Sequence, residues 1–213
     1  MRPIQRLSRA LAAALAAALG ACASAPTHFY TLLQGAAPAA NAAPASPAPF
    51  LIDVLPVGVP AQVNQAELLV RQSDQRVAVL DYERWAAPLA SELRGAFAAD
   101  LVANLGTRDV HGLPYPPVTP VYRIVIDVRV FDSWPGRHAR IQADWSVRGN
   151  SEAALVTCTS TASEEVDASY DALVQGHQRA VARIAADIAT TVRGMGTGAA
   201  PACPQLAVVR GEP

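Results

Sequence analysis

Residues 121–131 constrain the fold most. Val121, Arg123, Val125, Asp127 and Arg129 alternate there with Tyr122, Ile124, Ile126, Val128 and Val130, so an extended chain presents one wholly apolar face. Such a strand needs a second layer to cover that face. Ser133-Trp134-Pro135-Gly136 turns the chain into residues 139–147, and Gly149-Asn150 turns it again into 153–162, which predicts a three-stranded meander. Two helical patterns can supply the cover. Leu89, Leu93, Phe97, Leu101 and Leu105 recur at every fourth position between Pro88, suited to a first turn, and Gly106, suited to a stop. Leu173, Val174, His177, Val181, Ile184, Ile188 and Val192 recur by three or four over 170–193, with Ser169 to cap the start and Arg193 and Gly194 to close the end. The expected fold class is α/β (α+β) two-layer: a mixed or mostly antiparallel sheet with two helices on one face.

Earlier in the chain, residues 28–33 and 50–57 read as strands, the second interrupted by Asp53. Residues 68–71 and 77–80 read as short strands joined by Gln72-Ser73-Asp74-Gln75. The path from 77–80 through the first helix to 121–131 allows those two strands to lie parallel. Residues 34–49, almost wholly Ala, Pro, Ser and Asn, and residues 107–120, with Pro114, Pro116, Pro117 and Pro120, are expected to be loops.

The N-terminus carries Arg2, Arg6 and Arg9 and then runs uncharged from Ala10 to Ala21, the order of an export signal. Its apolar run is shorter than the roughly 20 residues a membrane-crossing helix needs. Leu19-Gly20-Ala21-Cys22 resembles the bacterial lipobox, whose cysteine is acylated and becomes the first residue after cleavage. The expected organisation is a signal peptide over 1–21, a tether over 22–27, a single domain over 28–194 with 34–49 as an internal loop, and a C-terminal tail over 195–213. Membrane lipid, reached through acylated Cys22, is then the first expected partner, because two or more acyl chains give stable residence where one gives only reversible binding. Ala23, where an Asp would favour retention in the inner membrane, points by the same resemblance to the outer membrane, facing the periplasm.

The whole chain holds 17 basic and 18 acidic residues, and losing residues 1–21 would remove three of the basic ones and no acid. A mildly acidic domain is a poor nucleic-acid binder, so no such partner is expected. Of the three cysteines, Cys158 and Cys203 remain as a candidate disulfide in an oxidising compartment, with two free thiols as the alternative. A bridge between them would contribute roughly 4 kcal/mol in the chain-entropy model.

No phosphate-binding loop ending in Lys-Ser or Lys-Thr and no Gly-x-Ser-x-Gly nucleophile elbow is present. His28, His111, His138 and His177 fall in four different elements without ligand spacing, so no metal or other cofactor is expected. His177 reads as a satisfied core residue, Glu164-Glu165 as a strand end whose side chains point opposite ways, and Asp53 as an edge or ion-paired acid. The chain is therefore expected not to be an enzyme. Trp85, Trp134 and Trp145 are the candidate partner-docking residues.

Ordered motifs add a resemblance. Pro56-Val57-Gly58-Val59-Pro60, Leu69-Val70-Arg71, Tyr82-Glu83-Arg84-Trp85-Ala86-Ala87-Pro88-Leu89, Asn104-Leu105, Tyr122-Arg123-Ile124 with Asp127-Val128 and Phe131, and Ala143-Asp144-Trp145 resemble the ABC-type transport auxiliary lipoprotein family, including PqiC-like proteins. The resemblance implies a non-catalytic, anchored subunit of an MCE-type system that moves phospholipid or another hydrophobic solute. Its partners would be an MCE-family protein with its permease and ATPase, and a homo-oligomer is compatible with it. A regulatory or structural outer-membrane lipoprotein acting on a cell-envelope enzyme is the alternative. The segments 34–49 and 107–120 depart from the family pattern, so no docking surface carries over to them.

Overall fold

A computed structural model describes residues 25–34, 48–149, 155–200 and 202–204. Along these residues the order is β1 (His28–Tyr30), β2 (Leu51–Val54), β3 (Glu67–Arg71), β4 (Val77–Trp85), α1 (Leu89–Leu105), β5 (Val121–Trp134), β6 (His138–Arg148), β7 (Leu155–Glu165) and α2 (Tyr170–Gly196). Cys22 and the expected signal peptide lie outside the described residues, as do Asn150 and most of the Ala/Pro segment.

Local signals set the helices. Pro88 is extended at φ −50° and ψ 135° just before α1, and Gly106 ends the helix in the left-handed region at φ 63°, its N–H donating to the Val102 carbonyl. The four-spaced stripe of α1 is buried throughout. Ser169 caps α2 by accepting from the Ala172 N–H at 3.1 Å. That helix continues through Gly194 to Gly196, because one glycine weakens a helix without ending it when the flanking face stays buried. Gly176 permits its close approach to β6: a Cβ there would stand 2.9 Å from the Ala139 Cβ and collide with Val166.

The fold is the mixed α/β arrangement the pattern predicts, with its strands divided between two sheets of order β1-β4-β3 and β2-β5-β6-β7. The meander β5-β6-β7 is antiparallel. Strand β5 takes its parallel neighbour from β2, whereas β4 belongs to the other sheet. The cause is length. β4 runs on from residue 80 to Trp85, so it pairs antiparallel with β3 and still has a free edge at Glu83, Arg84 and Trp85 for β1. α2 lies across β6 and β7, with α1 beside it against β2. Ile124, Ile126, Val128, Ile141, Trp145 and Val147 meet Phe97, Leu101, Ile184 and Ile188 in one buried cluster.

The two helices run in the same direction. At one end Thr31 donates its hydroxyl to Glu92 of α1 at 2.7 Å and accepts from the Gln178 amide of α2 at 3.1 Å. At the other, Arg193 of α2 donates to the Asn104 carbonyl of α1 at 3.0 Å. The first end carries β1; we call it the β1 end and its opposite the far end.

Candidate functional site

A β-bulge between Val128 and Val130 shapes the β1 end. Uninterrupted alternation would keep Val130 on the core face, but the extra residue reverses the pleat, so Phe131 and Ser133 turn inward and Asp132 and Trp134 outward. Asp132 then receives Arg71 Nε at 2.7 Å and His138 Nε2 at 3.0 Å. Partial burial opposes its ionisation, but these two hydrogen bonds outweigh that and hold the carboxyl below its ordinary range. Beside it the Trp134 ring carries the Arg137 guanidinium 3.9 Å from its centroid and Arg71 at 5.8 Å. One open cavity of about 690 Å³ is lined by Arg137, His138, Glu165, Asp167 and Arg179, and another of about 460 Å³ by Leu69, Arg71, Val77, Asp132 and Ser133. The Asp132–His138 pair separates them. The result is a rigid, charged rim around one indole, suited to gripping a partner's surface.

One layer inward, Ser133 Oγ and His177 Nε2 are 2.8 Å apart, and the His177 ring stacks on Phe131 at 4.0 Å. The pairing resembles a nucleophile with its base, yet burial pushes the imidazole down to about 3 and its Nδ1 has no hydrogen-bond partner. A base so weak, with no group to orient it, does not activate a hydroxyl near neutral pH. Among the described residues no group of three or more His, Cys, Asp and Glu is placed to hold a metal ion.

The three tryptophans do different work. Trp145, 1% exposed, donates its Nε1–H to Ser160 at 3.1 Å, and Ser160 in turn donates to Asp187 at 2.7 Å. Trp85, 5% exposed, packs edge-on against Phe131. Both indoles are packed into the core, where a docking residue is expected at the surface; of the three, Trp134 is the one partly exposed. The Arg84-Trp85-Ala86-Ala87-Pro88 motif is a folding device. The Trp85 N–H donates to the Ala66 carbonyl and the Ala86 N–H to the Tyr30 carbonyl, each at 2.7 Å, so this strand-to-helix turn hooks β1 and β3 together.

Cys158 and Cys203 form a disulfide with their Cα atoms 5.6 Å apart, holding residues 202–204 beside β7. Asp53 faces His111 at 2.9 Å and Arg123 at 3.2 Å on an edge strand, the ion-paired role expected of it. Glu164 receives Arg179 and Arg183, while Glu165 lines the cavity beyond. Sequence reasoning missed Glu92, which is buried and also accepts from the Leu32 N–H at 2.8 Å. An acid in a first helical turn is a signal for the helix dipole, not for a contact sixty residues away. Asp132 and Arg71 were missed because the bulge that joins them leaves no mark in the alternation.

Over residues 30–189 the sequence matches the family described as ABC-type transport auxiliary lipoprotein component. The chain belongs to this family. The auxiliary-lipoprotein fold is shared with a crystal structure described only as that of an uncharacterized protein, at 18% identity and a TM-score of 0.62, covering 79% of this chain and 99% of that one. It is shared too with XCC0632 from Xanthomonas campestris, of family DUF330, at 17% identity and a TM-score of 0.54, covering 70% and 88%. No curated protein matches. No described helix of this auxiliary lipoprotein is long and apolar enough to cross a membrane.

Proposed function

We propose that the chain is a non-catalytic, membrane-anchored periplasmic subunit of an MCE-type ABC system that moves phospholipid or another hydrophobic solute between membranes. Membership of the auxiliary lipoprotein family carries this reading. The position of β1 supports it: five residues separate His28 from Cys22, so an acylated Cys22 would keep the β1 end within about 20 Å of the bilayer. Trp134, Arg71 and Arg137 lie at that same end, where a component spanning from the opposite membrane would arrive. The outer membrane is the proposed site of anchoring, and the signal peptide and tether keep the bounds given above, while the tail starts only after α2 ends at Gly196.

Affinity purification of the anchored chain, with a photocrosslinker at exposed surface positions beside Trp134, tests the assignment. The expected captures are an MCE-family protein, its permease and its ATPase; Trp134→Ala should weaken the crosslinks while leaving the fold intact. Cys22→Ser should release the chain into the soluble periplasmic fraction. Repeated capture of cell-wall synthases with no transport component would instead assign the chain to a regulatory role.

A further inference from the structure

At the far end, Arg123 of β5 and Arg148 of β6 stand opposite each other in the antiparallel register, and both are exposed. Like charges placed directly across a strand pair destabilise it. Asp53, the neighbour of Arg123 on β2, relieves one of them, but its other oxygen faces His111. The Arg148 guanidinium has no hydrogen bond or ion pair with any described residue. Among the described residues the sheet thus retains an uncompensated charge where a neutral side chain would fit.

A cavity of about 380 Å³ opens over the pair. Among the described residues its remaining polar side chains are the hydroxyls of Tyr115 and Thr119, and its lining contains no acid. The large cavity at the β1 end differs, since there Glu165 and Asp167 answer Arg137 and Arg179. Guanidinium forks and hydroxyl donors, with no carboxylate among the described lining residues, match the oxygens of a phosphate group. The rim is apolar. Leu155 is the register partner of Arg148, Val125 follows Arg123 on the same face, and Val118 lies between the lining residues Pro117 and Thr119; all three are exposed.

We propose that Arg123 and Arg148, with Tyr115 and Thr119, bind the phosphate ester group of an amphiphile, the chemistry of a phospholipid headgroup. The guanidinium pair takes the phosphate and the exposed valines and leucine take the first carbons of the attached chains. The site stands on these residues and not on which complex the chain joins.

Calorimetric titration of the full chain in a nonionic detergent tests this. The probes are dihexanoylphosphatidylglycerol, dihexanoylglycerol, glycerophosphate and inorganic phosphate. The phosphatidyl lipid is expected to bind and dihexanoylglycerol not to. Arg148→Gln should weaken the lipid about tenfold or more, and Arg123→Gln likewise. Arg140→Gln, exposed elsewhere on β6, should change nothing, and Arg148→Gln, which removes the like-charge opposition, should melt no lower than the wild type. Glycerophosphate or phosphate binding as tightly as the lipid would support the anion site and assign it to a soluble ester. Undiminished binding by both pocket variants, equal binding of dihexanoylglycerol, or no heat from any phosphate-bearing probe would overturn the proposal.

Discussion

The two sheets bury their residues in opposite ways. β6 and β7 alternate strictly between buried and accessible positions beneath two helices, whereas β4 leaves Val77, Val79 and Tyr82 exposed and buries only Trp85, its last residue. The four-stranded sheet is held by close-packed apolar contact. The three-stranded sheet reaches the same core through Leu68 and Trp85 and is otherwise held by a small cluster at Val70, Ala139 and Leu173 and by long-range polar links, chiefly Arg71 to Asp132 and Glu92 to Leu32. The lesson is a division of labour: one sheet supplies the stability, and the other is fastened to it and carries the chain toward its anchor.

The strongest way to break this comparison is Trp145→Ala in the helix-covered sheet, which should cost about 3–5 kcal/mol in urea denaturation. A loss no larger than that of Val79→Ala, at an exposed position of β4, would mean the sheets share the load equally. Cys203→Ser comes next at roughly 2–4 kcal/mol, since it frees a loop with a sequence separation of 45; reduction of the wild type should match it. Glu92→Gln should cost about 1–3 kcal/mol by weakening the bonds from Thr31 and Leu32. Hydrogen exchange should then quicken at residues 30–33 before the meander responds.

His177 sharpens the comparison through pH. Above its ordinary value of 6.5 both folded and unfolded states hold it neutral; below that, the unfolded chain takes a proton that the buried imidazole, pushed down to about 3, refuses. Stability should therefore fall as the medium is acidified, by about 1.4 kcal/mol per pH unit, until the folded imidazole also titrates. His177→Gln should flatten this slope between about 6.5 and 3. The smallest effect belongs to Trp134→Ala, below about 1 kcal/mol, because its contacts are surface cation–π pairs. Trp134 and Trp145 lie on paired strands of one sheet and should differ several-fold.

Much of the architecture was legible where the signal is local. The α1 stripe with Pro88 and Gly106, the Ser169 cap and the first turn of the meander each depend on residues a few positions apart. The candidate site was less legible. Trp134 could be named from sequence, but its separation from the buried Trp85 and Trp145 could not, since all three are equally aromatic and flank turns or strand ends. Asp53 announced itself by interrupting an apolar strand, while Glu92 and Asp132 sat in ordinary contexts.

The sequence by itself determined the helices, the antiparallel meander and the family motifs, because periodicity, capping and turn chemistry act between near neighbours. Only the tertiary structure decided the division into two sheets, the pairing of β2 with β5, the bulge that turns Trp134 outward, and the meeting of Arg123 with Arg148. Those depend on backbone hydrogen bonds between distant segments, and any strand edge offers the same donors and acceptors regardless of its side chains.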